Sequence, residues 1–98
     1  MGTYTLTVRF EWDRAKATAN VRKHRVSFHE AATILEDPLS TTFPDEIHSE
    51  EEARSVTIGV SEDGHVLVVA HTERNDTVRI ISARRATRRE REFYEQGK

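Results

Sequence analysis

The chain has 98 residues and a mass of 11.3 kDa, which fits one small domain with a single modest core. Charged residues make up 33% of it, but 15 Lys and Arg against 17 Asp and Glu leave a formal net charge of only −2. This balance excludes a protein that coats nucleic acid by overall charge, and the absence of cysteine excludes disulfides, thiolate metal sites and thiol nucleophiles.

A strand and two helices are predicted for the first third of the sequence. Residues Tyr4–Trp12 are rich in β-branched and aromatic side chains, which favours a strand. Asp13 predicts the N-cap of a helix over Arg14–His24. Ser27 opens a capping-box pattern and predicts a second helix, which ends at Asp37-Pro38 because the residue before proline avoids the helical region.

The rest of the sequence predicts a short edge strand, three further strands and a last helix. The edge strand lies at Thr41–Phe43, inside an acidic connection. The other elements are Arg54–Ser61, His65–Thr72, Thr77–Ala83 and the helix Arg88–Gln96. Strands that follow one another as a meander, with helices beside them, predict an α+β domain on an antiparallel sheet.

Charge is unevenly distributed along the chain. Residues 1–25 carry six basic and two acidic side chains, and residues 79–98 carry seven basic and three acidic ones, so each segment has a net charge of +4. Residues 36–53 carry seven acidic side chains and no Lys or Arg. If the two basic segments meet in the fold, they create a local positive field suited to a phosphate.

Three arginines at strand positions are candidates for phosphate binding, namely Arg54, Arg79 and Arg84. Regular alternation places Arg79 on the same face as Ile81 and Ala83, where a charge is costly unless it is paired or faces a groove. Arginine at such positions presents planar, bidentate donors to phosphate. The alternative is an internal salt bridge, for example with Glu52, and spacing alone does not separate the two.

The other basic residues and the histidines give weaker signals. Arginines of the last helix have glutamates at i,i+4, so a solvated helix face explains them equally well. His24 follows Lys23 at a helix C-terminus, where the helix dipole favours a protonated imidazole that suits a general acid. A helix-end histidine without chemistry is the commoner case. Histidine spacing does not match a zinc site, so we expect no metal.

An ordered set of motifs resembles the BrnT-type toxin family over about residues 8 to 96. The opening motif is Phe10-Glu11-Trp12-Asp13 with Lys16, Asn20, Lys23-His24, Val26-Ser27-Phe28 and Asp37-Pro38. The remainder comprises His48-Ser49, Glu52, Arg54, Ile58-Gly59, Thr72, Arg74, the run Arg79–Arg84, Ala86, Glu90 and Tyr94. The chain departs from the family pattern at Arg25, where glycine is usual, and at His71 and Glu73, which flank Thr72.

The resemblance implies a single RelE-like ribonuclease domain over residues 1–98 that acts as the toxin of a type II toxin–antitoxin system, without a cofactor. It implies that RNA is the substrate and that cleavage inhibits translation. Its partner would be a ribbon-helix-helix antitoxin of the BrnA type that covers the toxin, with operator DNA bound only through the complex. No signal peptide or membrane span is visible, so we expect a cytoplasmic location.

Cleavage by attack of a 2′-OH on the adjacent phosphate needs a base, an acid and donors that stabilise the developing charge. The hypothesis assigns the donors to Arg54, Arg79 and Arg84. It assigns the base to Glu52 and the acid to His24. Further RNA contacts are assigned to Lys23, Arg74, Arg85 and Arg88.

Two functions from different classes are open at this stage. The first is a metal-independent ribonuclease toxin, and the second is a catalytically inactive module that binds nucleic acid or the antitoxin and acts in operon autorepression. Phe93 and Tyr94 of the last helix are either antitoxin anchors or core residues. Packing against the sheet is the preferred interpretation of both.

Overall fold

One five-stranded sheet separates two helices on one face from a third on the other. The computed structural model describes residues 8–48 and 52–96. Its strands are β1 (Arg9–Trp12), β2 (Thr41–Pro44), β3 (Arg54–Val60), β4 (Val66–Arg74) and β5 (Thr77–Arg85). Its helices are α1 (Arg14–His24), α2 (Phe28–Thr33) and α3 (Arg88–Gln96), and 3₁₀ turns occupy Ile34–Glu36 and Glu46–His48. None of the described helices is long and apolar enough to cross a membrane.

The strand order is β1-β5-β4-β3-β2, with antiparallel pairing from β2 to β5 and parallel pairing of β1 with β5. The predicted α+β class is confirmed, but the prediction of an antiparallel sheet is wrong, because the sheet is mixed. The meander leaves one edge of β5 without a neighbour, and β1 fills that edge in the same direction as β5. Residues 4–7 of the predicted first strand lie outside the described residues.

Side-chain caps explain where the helices begin. Asp13 accepts a hydrogen bond at 3.0 Å from the backbone N–H three residues later, as predicted. Ser27 caps α2 through the N–H of Glu30, but the Glu30 carboxylate bonds to side chains beside the β3–β4 turn, so only half of that capping box forms. Thr87 and Glu90 form a complete box at the start of α3.

The helical face of the sheet, covered by α1 and α2, carries the larger core cluster. Its buried residues are Val26, Phe28, Ala31, Ile34, Leu67, Val69, Ile80 and Ala83. The opposite face, here called the open face, carries a smaller cluster where α3 packs on it. That cluster consists of Ile58, Val68, Ala86 and Tyr94. Burial of Tyr94 confirms its predicted core role, whereas Phe93 remains 48% exposed and is not a core residue.

Asp37 ties α3 to the sheet. Its Oδ2 accepts hydrogen bonds from the Tyr94 hydroxyl at 2.6 Å and from the backbone N–H of Val60 at 2.9 Å. Burial and the bond to Asp37 raise the pKa of Tyr94 to about 12. Glycine at position 59 allows this close approach, because a Cβ there would lie 3.0 Å from Cβ of Ser40, 3.1 Å from the carbonyl oxygen of Ile34 and 3.3 Å from Oδ2 of Asp37. The chain therefore packs closely where the 3₁₀ turn meets β3.

A β-bulge interrupts the pairing of β4 with β5. Ala70 pairs with Ser82, but the next residue, His71, pairs with Ile80, which leaves Ile81 as an extra residue on β5. An extra residue shifts the alternation of side chains by one position beyond the bulge.

This shift corrects the predicted faces of β5. Ala83 is 1% exposed in the helical-face core, so the predicted sharing of a face by Arg79 and Ala83 is wrong. Arg79 and Arg84, five positions apart, lie on the open face together, although an odd separation would place them on opposite faces of a regular strand.

Two buried polar side chains hold the sheet around the bulge. The Nε2 atom of His71 lies 2.7 Å from Oγ1 of Thr57, which lies 2.7 Å from Oγ1 of Thr42 on the edge strand. Burial lowers the pKa of His71, so its imidazole is neutral at pH 7. The side chain of Asn20 in α1 accepts a hydrogen bond from the N–H of Ala83 at 3.1 Å and donates one to the carbonyl of Ala83 at 2.8 Å. These bonds supply partners for the backbone of β5 at a point beyond the last residue that pairs with β1.

Arg25 ends α1 in the left-handed conformation, with φ 61° and ψ 28°. A side chain in this region costs about 1–2 kcal/mol, which glycine avoids. We expect Arg25→Gly to raise the free energy of unfolding by about 1 kcal/mol, less than the full strain because glycine also gains entropy in the unfolded chain. Urea denaturation at pH 7 measures the change.

Arg25→Ala is the matched control for this substitution. It removes the same guanidinium but keeps a Cβ in the left-handed region, so we expect no stabilisation. An equal gain in both variants would show that the charge of Arg25, and not its backbone, is unfavourable.

Candidate functional site

A row of polar residues crosses four strands of the open face. In register order these residues, here called the arginine row, are Arg54, Thr72, Arg79 and Glu11. Direct register partners project from the same face of a sheet, so their side chains are neighbours. Arg54 and Arg79, two of the three arginines predicted to bind phosphate, therefore lie on one surface, with Thr72 of the central strand between them.

Two further rows lie parallel to the arginine row on the same face. The middle row consists of Phe43, Val56, Ala70 and Ser82, and the covered row consists of Thr41, Ile58, Val68 and Arg84. Tyr94 and Ala86 bury the centre of the covered row. Since α3 packs there, the arginine and middle rows form the accessible part of the open face.

A pocket of about 400 Å³ lies at the end of the sheet beside the β4–β5 turn. It is lined by Glu11, Glu52, Thr72, Arg74, Asn75, Thr77 and Arg79. Two of the proposed RNA-contacting arginines thus share one concave site with Glu52, the proposed general base. No role was predicted for Glu11, Thr72 or Thr77, because only the strand register shows that they lie together.

The ion pairs inside this pocket are loose. Arg79 lies 3.4 Å from Glu11, with side chains 48% and 55% exposed, and Arg74 lies 3.6 Å from Glu52, with side chains 77% and 41% exposed. Exposed pairs of this kind contribute about 0–1 kcal/mol. A phosphate that enters the pocket can therefore draw either guanidinium from its carboxylate at little cost. The alternative from the sequence, an internal salt bridge, does form at Arg79, but its partner is Glu11 and not the example given, Glu52.

Arg84 is held more firmly than Arg79. Its two terminal nitrogens donate to the two carboxylate oxygens of Glu90 at 2.7 and 2.9 Å. This hydrogen bonding lowers the pKa of Glu90 to about 2 and raises that of Arg84. Since Glu90 also accepts from the N–H of Thr87, the pair joins β5 to the first turn of α3. Arg84 thus contributes to the architecture of the open face.

Four other predicted residues lie apart from the arginine row, namely Lys23, His24, Arg85 and Arg88. Arg85 projects from the helical face, where its Nη2 lies 3.1 Å from Nε2 of His65, whose Nδ1 lies 2.8 Å from Glu30. Arg88 is exposed on α3 and pairs with Glu92 at 3.3 Å, as the solvated-face interpretation predicted. The structure does not bring these two arginines together with the pocket.

His24 and Lys23 end α1, which packs against β5 from the helical face. Among residues 8–48 and 52–96, neither makes a hydrogen bond or an ion pair with Arg79 or Arg84. The two basic ends of the chain nevertheless meet, because β1 pairs with β5 and α1 packs against it. In this same part of the chain, no three His, Asp or Glu side chains form a group that could hold a metal ion.

Comparisons with known proteins point to one family. The family model described as "Ribonuclease toxin, BrnT, of type II toxin-antitoxin system" matches residues 12–90. The crystal structure of the Brucella abortus ribonuclease toxin BrnT is similar, with a TM-score of 0.66 and 22% identity over 84% of this chain and 100% of that chain. At this level of identity the second match supports the fold. No curated protein sequence gives a significant match.

The Arg84–Glu90 pair makes stability depend on pH in acid. Because folding lowers the pKa of Glu90 from its ordinary value of 4.5 to about 2, the ionised carboxylate stabilises the fold at pH values above 4.5. This stabilisation is lost as the pH falls from 4.5 to about 2. We expect Glu90→Gln to be less stable than the wild type at pH 7, with a difference that disappears near pH 2. Thermal unfolding across this range measures it.

Glu92→Gln is the control, because Glu92 makes only an exposed pair with Arg88. Its stability should follow the wild type closely at every pH. A deficit in Glu90→Gln that stays constant with pH would mean that the carboxylate acts through packing and not through its charge.

Proposed function

This chain belongs to the BrnT family of ribonuclease toxins from type II toxin–antitoxin systems, and we propose that its open face binds and cleaves RNA and thereby inhibits translation in the cytoplasm. The observation that carries the proposal is the shared pocket of Arg79, Arg74 and Glu52, next to Arg54 in the arginine row. It combines donors for a phosphate with a carboxylate able to accept a proton. The RelE-like relationship of the fold stays part of this proposal.

In the proposed reaction, the Glu52 carboxylate takes the proton of a ribose 2′-OH, and the 2′-oxygen attacks the adjacent phosphorus. Arg79 and Arg54 donate to the non-bridging oxygens, on which negative charge increases in the transition state. The bond from phosphorus to the 5′-oxygen breaks, which leaves a 2′,3′-cyclic phosphate and a protonated 5′-hydroxyl. Arg84 holds β5 and α3 in place through Glu90 and shapes the same face.

His24 is proposed as the general acid that donates a proton to the leaving 5′-oxygen, and Lys23 is proposed to guide the RNA backbone. Both lie at the end of α1, so this assignment requires that His24 reach the 5′-oxygen of the same phosphate that Arg79 holds in the pocket. Arg85 and Arg88 are proposed as contacts outside the pocket, on the helical face and on α3 respectively. Exposed cations of this kind would add mainly salt-dependent affinity.

The partner that we propose is a ribbon-helix-helix antitoxin of the BrnA type. Acidic groups of an antitoxin would be attracted to the surface that attracts RNA, so the same arginines would be blocked in the complex. Operator DNA would then be bound by the antitoxin, with this chain as a non-contacting member of the repressor.

The second candidate function is an inactive binding module that acts in operon autorepression. One observation favours it: four of the proposed RNA-contacting arginines pair with carboxylates in the free protein, namely Arg74, Arg79, Arg84 and Arg88. The two functions differ in one measurable property, because only the ribonuclease converts RNA to products with 2′,3′-cyclic phosphate ends.

We expect the purified protein to cleave single-stranded RNA and Arg79→Ala to reduce the rate about 10²- to 10³-fold, the usual effect of removing one charge-stabilising donor. Its weak pair with Glu11 means that the fold should keep its stability. Gel analysis of end-labelled RNA measures the rate, and thermal unfolding checks the fold.

Arg22→Ala is the control, because it removes an exposed arginine of α1 to which no RNA contact is assigned. It should cleave within a few-fold of the wild type. Equal losses in both variants would place the site elsewhere. A wild-type protein that binds RNA without forming products would instead support the inactive module.

A further inference from the structure

We propose that Phe43 and Phe93 form a stacking site for a nucleobase next to the phosphate held by the arginine row. This inference rests on the proposed function, since it assigns a base-binding subsite to the same RNA. Neither ring takes part in the main core, and no step of the proposed cleavage uses them.

The two rings form an exposed aromatic pair between an edge strand and a helix. Their centroids lie 5.6 Å apart with an angle of 47° between the planes, and the residues are 37% and 48% exposed. They border an apolar depression of about 310 Å³ with Ile58, Arg89 and Glu90. Aromatic faces left open to solvent in this way are platforms on which bases of any sequence can stack.

The position of Phe43 connects this depression with the proposed site. Phe43 ends the middle row, and its register partner Val56 lies two residues along β3 from Arg54, on the same face. Strand geometry places the Cα atoms of Phe43 and Arg54 about 8 Å apart. A base on the ring and a phosphate on the guanidinium can therefore belong to neighbouring parts of one RNA strand.

The surface between the rings and the pocket suits an extended strand. Within the middle row, Val56, Ala70 and Ser82 are small or aliphatic and project little from the sheet. Arg89, one helical turn from Phe93 on α3, also lines the depression and adds a positive charge for the backbone that leaves it. Single-stranded nucleic acid is bound by this combination of aromatic platforms and a cationic track. An RNA base is thus a better match than an apolar protein side chain, for which a cationic track has no use.

The direct test is the affinity for a short single-stranded RNA that carries 2′-O-methyl groups and cannot be cleaved, measured by fluorescence anisotropy. We expect Phe93→Ala and Phe43→Leu each to weaken binding roughly 5- to 100-fold, the range for loss of one base–aromatic stack. Phe93→Trp should bind at least as tightly as the wild type, because the indole also stacks. Phe93→Leu, which keeps an apolar side chain, should be as weak as Phe93→Ala.

An abasic version of the same RNA identifies the group that is recognised. The wild type should lose affinity for it, whereas Phe93→Ala should bind intact and abasic RNA equally. Arg79→Ala, by contrast, should weaken both RNAs by the same factor. Thermal unfolding of every variant separates these effects from loss of the fold.

The outcomes distinguish this proposal from the proposed function. If the wild type cleaves RNA and Phe93→Ala binds and cleaves as well as it does, the stacking site is refuted while the ribonuclease stands. If Phe93→Ala keeps its RNA affinity but is no longer neutralised by its antitoxin, the depression is a protein interface. A wild type that neither binds nor cleaves RNA overturns both proposals.

Discussion

The bulge at Ile81 determines which arginines of β5 face the same way, and the rest of the site depends on it. Before the bulge Arg79 belongs to the open face, and after it Arg84 does as well, since one unpaired residue reverses the alternation. Arg85 therefore projects from the helical face, where its guanidinium lies within hydrogen-bond distance of His65. Asn20 of α1 hydrogen-bonds both backbone groups of Ala83 just beyond the bulge. The orientation of β5 after the bulge is therefore held by α1 as well as by pairing with β4.

The resulting face separates basic residues that hold the fold from those that can bind a ligand. Arg84 is bound by both carboxylate oxygens of Glu90 and connects β5 with α3. Arg79 is bound loosely by Glu11, and Arg74 loosely by Glu52, beside an open pocket. The net charge of −2 is therefore a sum over unlike surfaces, and the acidic residues beside the pocket compete with a phosphate locally.

Local signals in the sequence predicted the helices well, because caps such as Asp13 and Thr87 act within a single turn. The central strand was also predictable, since the run Val66–Val69 requires cover on both faces. The direction of β1 could not be predicted, because it depends on which edge of the sheet β1 occupies, and local sequence signals do not specify that edge. The bulge was not predicted for a related reason. The side chains around Ile81 are compatible with either assignment of faces, and only the pairing of Ile80 with His71 shows where the extra residue lies. Hence the sequence identified Arg54 and Arg79 as candidates but did not show that they lie on one face, and it did not show that Arg85 projects from the other face.

Mapping where RNA binds on the protein tests the role of the bulge most directly. Two-dimensional ¹H–¹⁵N NMR spectra of the labelled protein would be recorded during titration with an RNA made uncleavable by 2′-deoxy substitution. We expect the largest shifts on amides of the open face, namely Arg54, Thr72, Arg79 and Ser82. Shifts concentrated instead on the helical face, at Glu30, Ala31 and His65, would contradict the claim that the bulge builds an RNA site on the open face.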